Sequence, residues 1–413
     1  MHLTKISNQQ NLLETIYSIC FLLLALVLPW SIAAMQIALG LTATVGIIHV
    51  IQLRNLSSLT HPFFLFLLIY VITRIFSVMF APSPIKSFDA FFHTDWVLLS
   101  IPFLVITPLR VEQKQRALRW LLISSAIAAL YGCWQTITGI DLIRGRLLPE
   151  YNGWHRALGG YNMYLTFAGN QLLAFCLGIG LFLFEPRRSV WKKIYLFILV
   201  LLFAGIIATY ARSAWLAILA VIPLAILLTR PRWLIYAVPG IIVAAILLGI
   251  LFPALQERFI SIFDLSKNET RLNLWLTSLK MIKTHPFFGI GPGFFKVVFP
   301  QYKVPGFYDT ISHAHNDYLN LAANSGLLAF FSWMAVWISW FYFSLKKYFI
   351  ISSYRERGIL LGTILAISGI MIAALFQCYY TDLENNIFWW VMAAVGMNEV
   401  FRINANELQT EIQ

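Results

Sequence analysis

The sequence predicts an all-α protein that crosses a membrane many times. Hydrophobic residues make up 59% of the 413 residues, only 12% are charged, and the mean hydropathy is +0.74. Soluble domains carry about 25% charged residues, so this composition excludes a soluble fold of this length. The apolar residues also gather into runs of about 17 to 25, the length of a helix that crosses a bilayer.

Twelve apolar runs are long enough to be membrane-spanning helices. A turn near Pro29 and Trp30 separates the first two. The run from Ile194 to Thr229 is too long for one crossing, so we divide it near Arg212 into a hairpin of two helices. The predicted spans are centred near Leu23, Leu41, Leu68, Leu99, Ile127, Ala174, Leu201, Ile218, Ile242, Trp337, Ala366 and Trp390.

These spans divide the chain into three parts, with spans one to nine at 1–252, a long polar loop at 253–325, and spans ten to twelve with a tail at 326–413. Lysine and arginine in short loops mark the cytoplasmic side of a membrane protein. They gather on one side if both termini are cytoplasmic, for example at Arg116, Arg119, Arg187, Arg188, Lys192 and Lys193. The long loop is therefore predicted to lie outside.

The net charge of +12 does not indicate a nucleic-acid partner. Topology explains the inner charges, and the outer ones point to an anionic ligand. The cysteines contain no Cys-x-x-Cys pair, so we predict that they are packing residues in apolar spans rather than metal ligands or disulfides. They are Cys20, Cys133, Cys176 and Cys378.

The segment from Ser312 to Tyr318 is the strongest candidate for a catalytic site, because it brings two histidines, an amide and a carboxylate to the start of an apolar run. These are His313, His315, Asn316 and Asp317. If Ser312 caps a helix, His315 lies in the first turn, where unpaired amides keep an imidazole neutral and attract phosphate. A neutral imidazole can act as a base. The alternative is that these residues only cap a helix. Zinc binding is disfavoured because no His-Glu-x-x-His spacing occurs.

Two arginines have the chemistry to bind a pyrophosphate. Arg212 lies at the turn of the predicted hairpin, and Arg271 lies in the first turn of an amphipathic helix that begins near Asn268. Leu272, Trp275, Leu279 and Ile282 share one face of that helix. A guanidinium offers a fixed fork of donors that lysine lacks. The alternatives are a helix-end anchor for Arg212 and a solvated face, or a pair with Glu269, for Arg271.

Other polar residues are weaker candidates. Arg74 lies within an apolar run, where it either has a function or extends to a membrane surface. Arg146 and Arg156 belong to an outer loop with aromatic residues, which suits sugars and phosphates but also an interfacial belt. Asp382 is in the last short outer loop, where a carboxylate can meet the site.

The segment His285–Gly293, His-Pro-Phe-Phe-Gly-Ile-Gly-Pro-Gly, is predicted to form a tight turn, because no P-loop lysine follows its glycines. Together with His315-Asn316, nine residues and then Gly326, it resembles the O-antigen ligase and polymerase superfamily of bacterial envelope glycan assembly. The compact chain most resembles the ligases. It departs from their pattern at Ala329, where a second glycine often follows.

The resemblance implies a metal-independent and cofactor-independent glycosyltransferase of the membrane-embedded C type. Such ligases move a polysaccharide from undecaprenyl pyrophosphate to lipid A-core at the periplasmic face of the Gram-negative inner membrane. His315 matches the essential histidine of the family, and Arg212 and Arg271 match its pyrophosphate-binding arginines. His313, Arg146, Arg156, Asn316 and Asp382 are secondary candidates.

Two alternatives to a ligase remain at this point. A polymerase that joins repeat units on the same lipid carrier needs the same kinds of donor and acceptor. A non-enzymatic transporter would depend on Arg74 and other charges within the membrane, but such charges are few and no repeat of broken helices is evident. The sequence does not predict an oligomeric state.

Overall fold

The structure, a computed structural model, describes residues 2–53, 57–151, 153–251, 253–262, 264 and 268–411. It is mainly helical. The helices are α1 His2–Val27, α2 Ile32–Leu53, α3 Pro62–Met79, α4 Pro84–Asp95, α5 Ile101–Ile106, α6 Val111–Thr138, α7 Tyr164–Phe184, α8 Val190–Ala208, α9 Arg212–Thr229, α10 Leu234–Leu251, α11 Pro253–Ile260, α12 Glu269–Thr284, α13 Phe295–Tyr302, α14 Asp317–Ile350, α15 Tyr354–Ala373 and α16 Leu383–Glu411.

Two small antiparallel hairpins interrupt the helical fold between α6 and α7. Strand β1 (Ile140–Asp141) pairs with β2 (Arg146–Leu147), and β3 (Glu150–Tyr151) pairs with β4 (Trp154–His155). The prediction of an all-α protein therefore holds for the membrane helices but misses these strands.

Within the described part of the chain, nine helical segments are long and apolar enough to cross a membrane, which confirms a polytopic membrane protein. They comprise α2, α3, α4 with α5, α6, α7, α8, α9, α14 and α15. The other three predicted centres fall in α1, α10 and α16. The predicted hairpin is confirmed, since α8 ends at Ala208 and α9 begins at Arg212.

The predicted span near Leu99 is not one continuous helix. Helix α4 ends at Asp95, a short 3₁₀ helix covers Trp96–Leu99, and α5 begins at Ile101. Pro102 lies in the first turn of α5, where its missing amide proton is tolerated. The break leaves Asp95 buried at a helix end.

Helix α14 also contains a break. Gly326 has φ 79° and ψ 173°, a conformation that favours glycine. A Cβ atom at this position would collide with the carbonyl group of Phe287. The amide of Leu327 donates to Pro286 O at 2.7 Å, and the amides of Ile290 and Gly291 donate to the carbonyls of Ala323 and Asn324 at 3.0 and 2.9 Å.

The glycine-rich segment is thereby confirmed as a tight turn. Its residues Gly289, Gly291 and Gly293 all have positive φ values of 71 to 96°. The turn packs on the break at Gly326. This contact joins the two sequence motifs, His285–Gly293 and His315–Gly326.

The helices pack closely where small residues or aromatic rings meet. Gly180 of α7 faces Gly362 of α15, and a Cβ at Gly180 would collide with the opposite backbone. Small residues of this kind let membrane helices approach each other. Between α14 and α16, the Trp337 and Trp390 rings stack with centroids 4.9 Å apart.

Helix α12 exists as predicted, but its buried face is different. Leu272 and Leu279 are exposed, at 36% and 50%, whereas Asn273 and Leu274 are buried. Asn273 is accommodated because its Nδ2 donates to Phe307 O at 3.2 Å. A loop with free carbonyl groups covers this side of the helix, so burial does not follow the apolar periodicity.

Candidate active site

Two cavities are lined by residues that the sequence analysis singled out. The arginine cavity has a volume of about 160 Å³ and is lined by residues that include Arg212, Asn268, Arg271, Trp275 and Phe376. The histidine cavity has a volume of about 250 Å³ and is lined by residues that include Arg74, Ala90, His313, Asp317, Asn320 and Tyr380. His315 interacts with one lining residue of each cavity, since its ring packs edge-on against that of His313 and it interacts electrostatically with Arg271.

The two arginines that the sequence predicts as a pair line the same cavity, although 59 positions separate Arg212 from Arg271. Arg212 is the first residue of α9 and is buried. Its Nη1 donates to the carbonyl oxygen of Ser261 at 2.7 Å and to Ser261 Oγ at 3.1 Å. This contact holds the segment after α11 against the α8–α9 turn.

Arg271 lies in the first turn of α12, at the other wall of the arginine cavity. Burial lowers the pKa of Arg271, and the nearby Arg258 cation contributes in the same direction. Glu269, suggested by the sequence as a partner, instead accepts the amide of Phe307 at 3.1 Å. An arginine cation held away from bulk water interacts more strongly with an anion than one on the surface.

Asn268 shapes the wall between these arginines. Its Nδ2 atom donates to the carbonyl oxygens of Ser261, Ile262 and Asp264 at 3.1, 3.1 and 2.8 Å. One amide therefore closes the turn between α11 and α12, and this turn fixes Arg271 relative to Arg212.

The predicted position of His315 within a helix is wrong. The cap of α14 is Asn316, whose Oδ1 accepts the amide of Leu319 at 3.0 Å, and the helix begins at Asp317 rather than after Ser312. His315 precedes the cap and has a left-handed backbone with φ 49°. Only the residue whose side chain reaches the free amides can cap, and here that is Asn316.

The sequence analysis attributed a neutral His315 to unpaired amides at a helix end, but in the structure burial is the main cause. Burial lowers the pKa of His315, the hydrogen bond to Gln377 opposes this, and the Arg271 cation lowers the pKa further. Burial disfavours the charged form of an imidazole, and a neighbouring cation does the same. The His315 imidazole is therefore neutral near neutral pH.

Gln377 determines which nitrogen of His315 carries the proton. Its Oε1 atom lies 2.6 Å from His315 Nδ1. An amide oxygen only accepts hydrogen bonds, so Nδ1 must be the protonated nitrogen and Nε2 keeps its lone pair. This arrangement matches the general pattern in which a third group orients a catalytic base.

His313 supports His315 from the other side. Its Nδ1 accepts the backbone amide of His315 at 3.2 Å, and the two ring centroids are 4.3 Å apart. Burial, followed by the neighbouring His315, lowers the pKa of His313 to about 3. Both imidazoles are therefore neutral, and the amide contact leaves His313 Nδ1 occupied.

Three of the secondary candidates have contacts outside both cavities. Arg146 Nε lies 3.2 Å from Asp141 Oδ2. The Arg156 guanidinium stacks on the Tyr164 ring, 4.3 Å from its centroid. Asp382 is hydrogen-bonded to Thr166 and Asn385, and burial together with Glu384 raises the pKa of Asp382 well above its usual range.

Arg74 does not extend to a surface, as one sequence interpretation required. It is only 5% exposed, and its Nη2 lies 2.5 Å from Asp95 Oδ2 at the break after α4. Its Nη1 also donates to Ser325 Oγ. Arg74 lines the histidine cavity, but its charge is already compensated by a buried carboxylate.

Sequence analysis included Asp317 in the candidate segment but missed Gln377 as a site residue. Gln377 and Cys378 lie in the irregular connection between α15 and α16, so the prediction that every cysteine is inside a span is also wrong. The sequence feature that could have identified this residue is its polarity, since Gln377 is a lone amide after the apolar residues Leu375 and Phe376. Among the described residues, no group of three His, Cys, Asp or Glu side chains is arranged to hold a metal ion.

Comparison with known families adds to this geometry. Residues 197–334 match the family model described as O-antigen ligase, and this family includes ligases and polymerases. The match includes Arg212, Arg271, His315 and Gly326, whereas Gln377 lies beyond it. No protein with a curated description matches the chain.

Proposed function

Because residues 197–334 match the O-antigen ligase family model, we propose that this membrane protein is an O-antigen ligase. It transfers a completed polysaccharide from undecaprenyl pyrophosphate to a sugar hydroxyl of lipid A-core, without metal or cofactor. It lies in the inner membrane of a Gram-negative bacterium, with twelve spans of the membrane-embedded C type. Both termini are cytoplasmic, and both cavities face the periplasm.

One observation carries this proposal, namely that Arg212 and Arg271 line one cavity beside a neutral His315. Pyrophosphate is a good leaving group, so the protein mainly needs to stabilise the negative charge that develops on it. Two guanidinium groups supply this stabilisation and can each bind two oxygens. The donor pyrophosphate therefore occupies the arginine cavity.

His315 then activates the acceptor. Its Nε2 removes the proton from the acceptor hydroxyl while the hydroxyl oxygen attacks the anomeric carbon of the donor. The bond from that carbon to the pyrophosphate oxygen breaks, and the electron pair leaves with the lipid pyrophosphate. A single displacement inverts the anomeric centre. The proton on His315 is afterwards lost to water or to the pyrophosphate.

A polymerase on the same lipid carrier is the second candidate, since the family includes both activities. Transport has less support, because two buried cations of the helical bundle are paired with carboxylates, Arg74 with Asp95 and Lys114 with Glu399. Deleting the gene and analysing envelope lipopolysaccharide separates the candidates. Loss of a ligase leaves bare core and accumulated lipid-linked polymer, loss of a polymerase leaves core with one repeat unit, and unchanged lipopolysaccharide contradicts both.

We predict that Gln377→Glu shifts the acid limb of the pH–rate profile to higher pH. A carboxylate next to Nδ1 favours the charged imidazolium and raises the pKa of His315. The base must be neutral to act, so activity is lost as pH falls through this pKa, and a raised pKa moves that loss upward. The measurement is kcat against pH for protein in lipid nanodiscs.

The matched control is Gln301→Glu, which places the same charge at an exposed residue of α13. It should leave the acid limb in place. Gln377→Ala should reduce kcat with little change in donor affinity, because the correct tautomer is no longer favoured. An unchanged acid limb in Gln377→Glu would remove Gln377 from the proposed mechanism.

A further inference from the structure

We propose that the histidine cavity binds the sugar residue of the acceptor that carries the attacking hydroxyl. This inference rests on the proposed transferase function and extends it, since it assigns the acceptor to a cavity separate from that of the donor pyrophosphate. The size, polarity, charge and position of the cavity each support it.

The size of the cavity suits a single sugar. Its volume of about 250 Å³ is just below that of ordinary small-molecule pockets, which begin at about 300 Å³. Helix α4, the segment after Gly291, helix α13, the start of α14 and the connection after α15 each contribute lining residues. The wall is therefore built from distant parts of the chain, and one pyranose ring with its substituents fits between them.

The lining offers uncharged hydrogen-bonding groups beside aromatic rings. Thr94, Asn320, Asn324 and Thr381 line the cavity together with Tyr380. Asn324 Nδ2 donates to Asn320 O at 2.8 Å and to Asn320 Oδ1 at 3.2 Å, so the two amides hold each other in place. A sugar presents hydroxyl groups that both donate and accept, together with apolar C–H faces, and this mixture complements such a wall.

Asp317 provides the most specific feature. Its Oδ2 accepts the backbone amides of Tyr379 and Tyr380 at 2.8 and 2.9 Å. Its Oδ1 is buried and accepts no hydrogen bond within the described chain, although the Cys378 thiol, a weak donor, lies beside the carboxyl group. A buried carboxylate oxygen without a strong donor is unfavourable. Asp317 lines the cavity, so a sugar hydroxyl there would supply the missing donor once a small shift of the wall exposes Oδ1.

The charge of the cavity distinguishes it from the arginine cavity. The buried cation Arg74 is compensated by Asp95, whose other oxygen accepts the Tyr380 hydroxyl at 3.0 Å. Lys296 also lines the cavity but is exposed. Among the lining residues, Arg74 is thus already paired and Lys296 is at the surface, so the wall offers a pyrophosphate no buried unpaired cation, and its uncharged groups suit a neutral sugar ring.

The position of the cavity brings the acceptor to the base. His313 lines it, and the His315 ring centroid lies 4.3 Å from that of His313. On the other side, His315 is close enough to Arg271 for the cation to affect its pKa. An acceptor hydroxyl at this cavity and a donor at the other would meet on either side of His315.

Ala90→Leu and Asp317→Asn test the assignment. Ala90 lines the cavity, so a leucine side chain there fills space that the sugar needs. Asp317→Asn replaces one carboxylate oxygen with a donor, so the hydroxyl loses an acceptor. Each should raise the KM for purified bare-core lipopolysaccharide by about tenfold or more. For Asp317→Asn, this is the effect of losing one hydrogen bond to a charged group. The KM for the lipid-linked donor should stay unchanged.

Ala34→Leu is the matched control, because Ala34 is a half-buried alanine of α2 outside the cavity. If Asp317→Asn fails to fold, the acceptor site is still tested by Ala90→Leu and by inhibition of the wild-type protein with free sugars. Free glucose, galactose or heptose should compete with bare-core lipopolysaccharide but not with the donor.

Each other outcome has a definite meaning. Wild-type protein that transfers nothing from the lipid donor would overturn the proposed function and, with it, this inference. An active wild type whose cavity variants keep the acceptor KM would overturn the acceptor site alone. A raised KM for the donor, with that for the acceptor unchanged, would assign the cavity to the first sugar of the donor and also overturn the inference.

Discussion

Replacing His315 with alanine should lower kcat by about 100- to 10,000-fold, the contribution of a general base. The donor KM should change little, because a base acts on the transition state more than on bound substrate. The structure supplies the reason, since the Gln377 contact at 2.6 Å leaves Nε2 unprotonated and burial keeps the ring neutral. The measurement is single-turnover transfer from a labelled lipid donor to bare-core lipopolysaccharide.

Two histidine variants serve as controls for this experiment. His313→Ala should have a smaller effect, because His313 accepts the backbone amide of His315 and so positions the base. His285→Ala should have none, since His285 is exposed and bonds to Tyr302 at 2.9 Å. Full activity in both His315→Ala and His313→Ala, with unchanged thermal stability, would remove the general-base assignment.

Arg212→Lys and Arg271→Lys should each reduce turnover at saturating donor by about 10- to 150-fold. Lysine keeps the charge but loses the planar fork that binds two phosphate oxygens. A hydrogen bond to a charged group contributes about 1.5 to 3 kcal/mol, and this range corresponds to that loss of rate if the bond acts fully in the transition state. Turnover is measured in nanodiscs with a pyrophosphate-linked donor.

Lys280→Ala is the control, because Lys280 is an exposed cation of the same helix as Arg271. Lys280→Ala removes a charge completely, yet it should reduce turnover less than Arg212→Lys or Arg271→Lys does. Arg212 also binds the Ser261 carbonyl, so thermal unfolding must accompany the kinetics to separate loosened structure from lost catalysis. If both arginine variants match the control, Arg212 and Arg271 do not bind the pyrophosphate.

The sequence by itself determined the features that depend only on residues close together in the chain. Apolar runs predict the membrane helices, because crossing a bilayer requires a certain length of apolar helix whatever surrounds it. The split at Arg212, the helix that begins near Asn268 and the turn at His285–Gly293 are local in the same sense. Each depends on chain length, periodicity or the freedom of glycine.

Only the tertiary structure decided which side chains meet. Gln377 orients His315 from 62 positions away, and Arg74 pairs with Asp95 across a helix break. Asn316 displaced Ser312 as the helix cap because its side chain reaches the free amide of Leu319. The buried face of α12 follows the loop packed against it rather than its own periodicity. Such outcomes depend on burial and on partners distant in the chain, and periodicity within one helix contains no information about either.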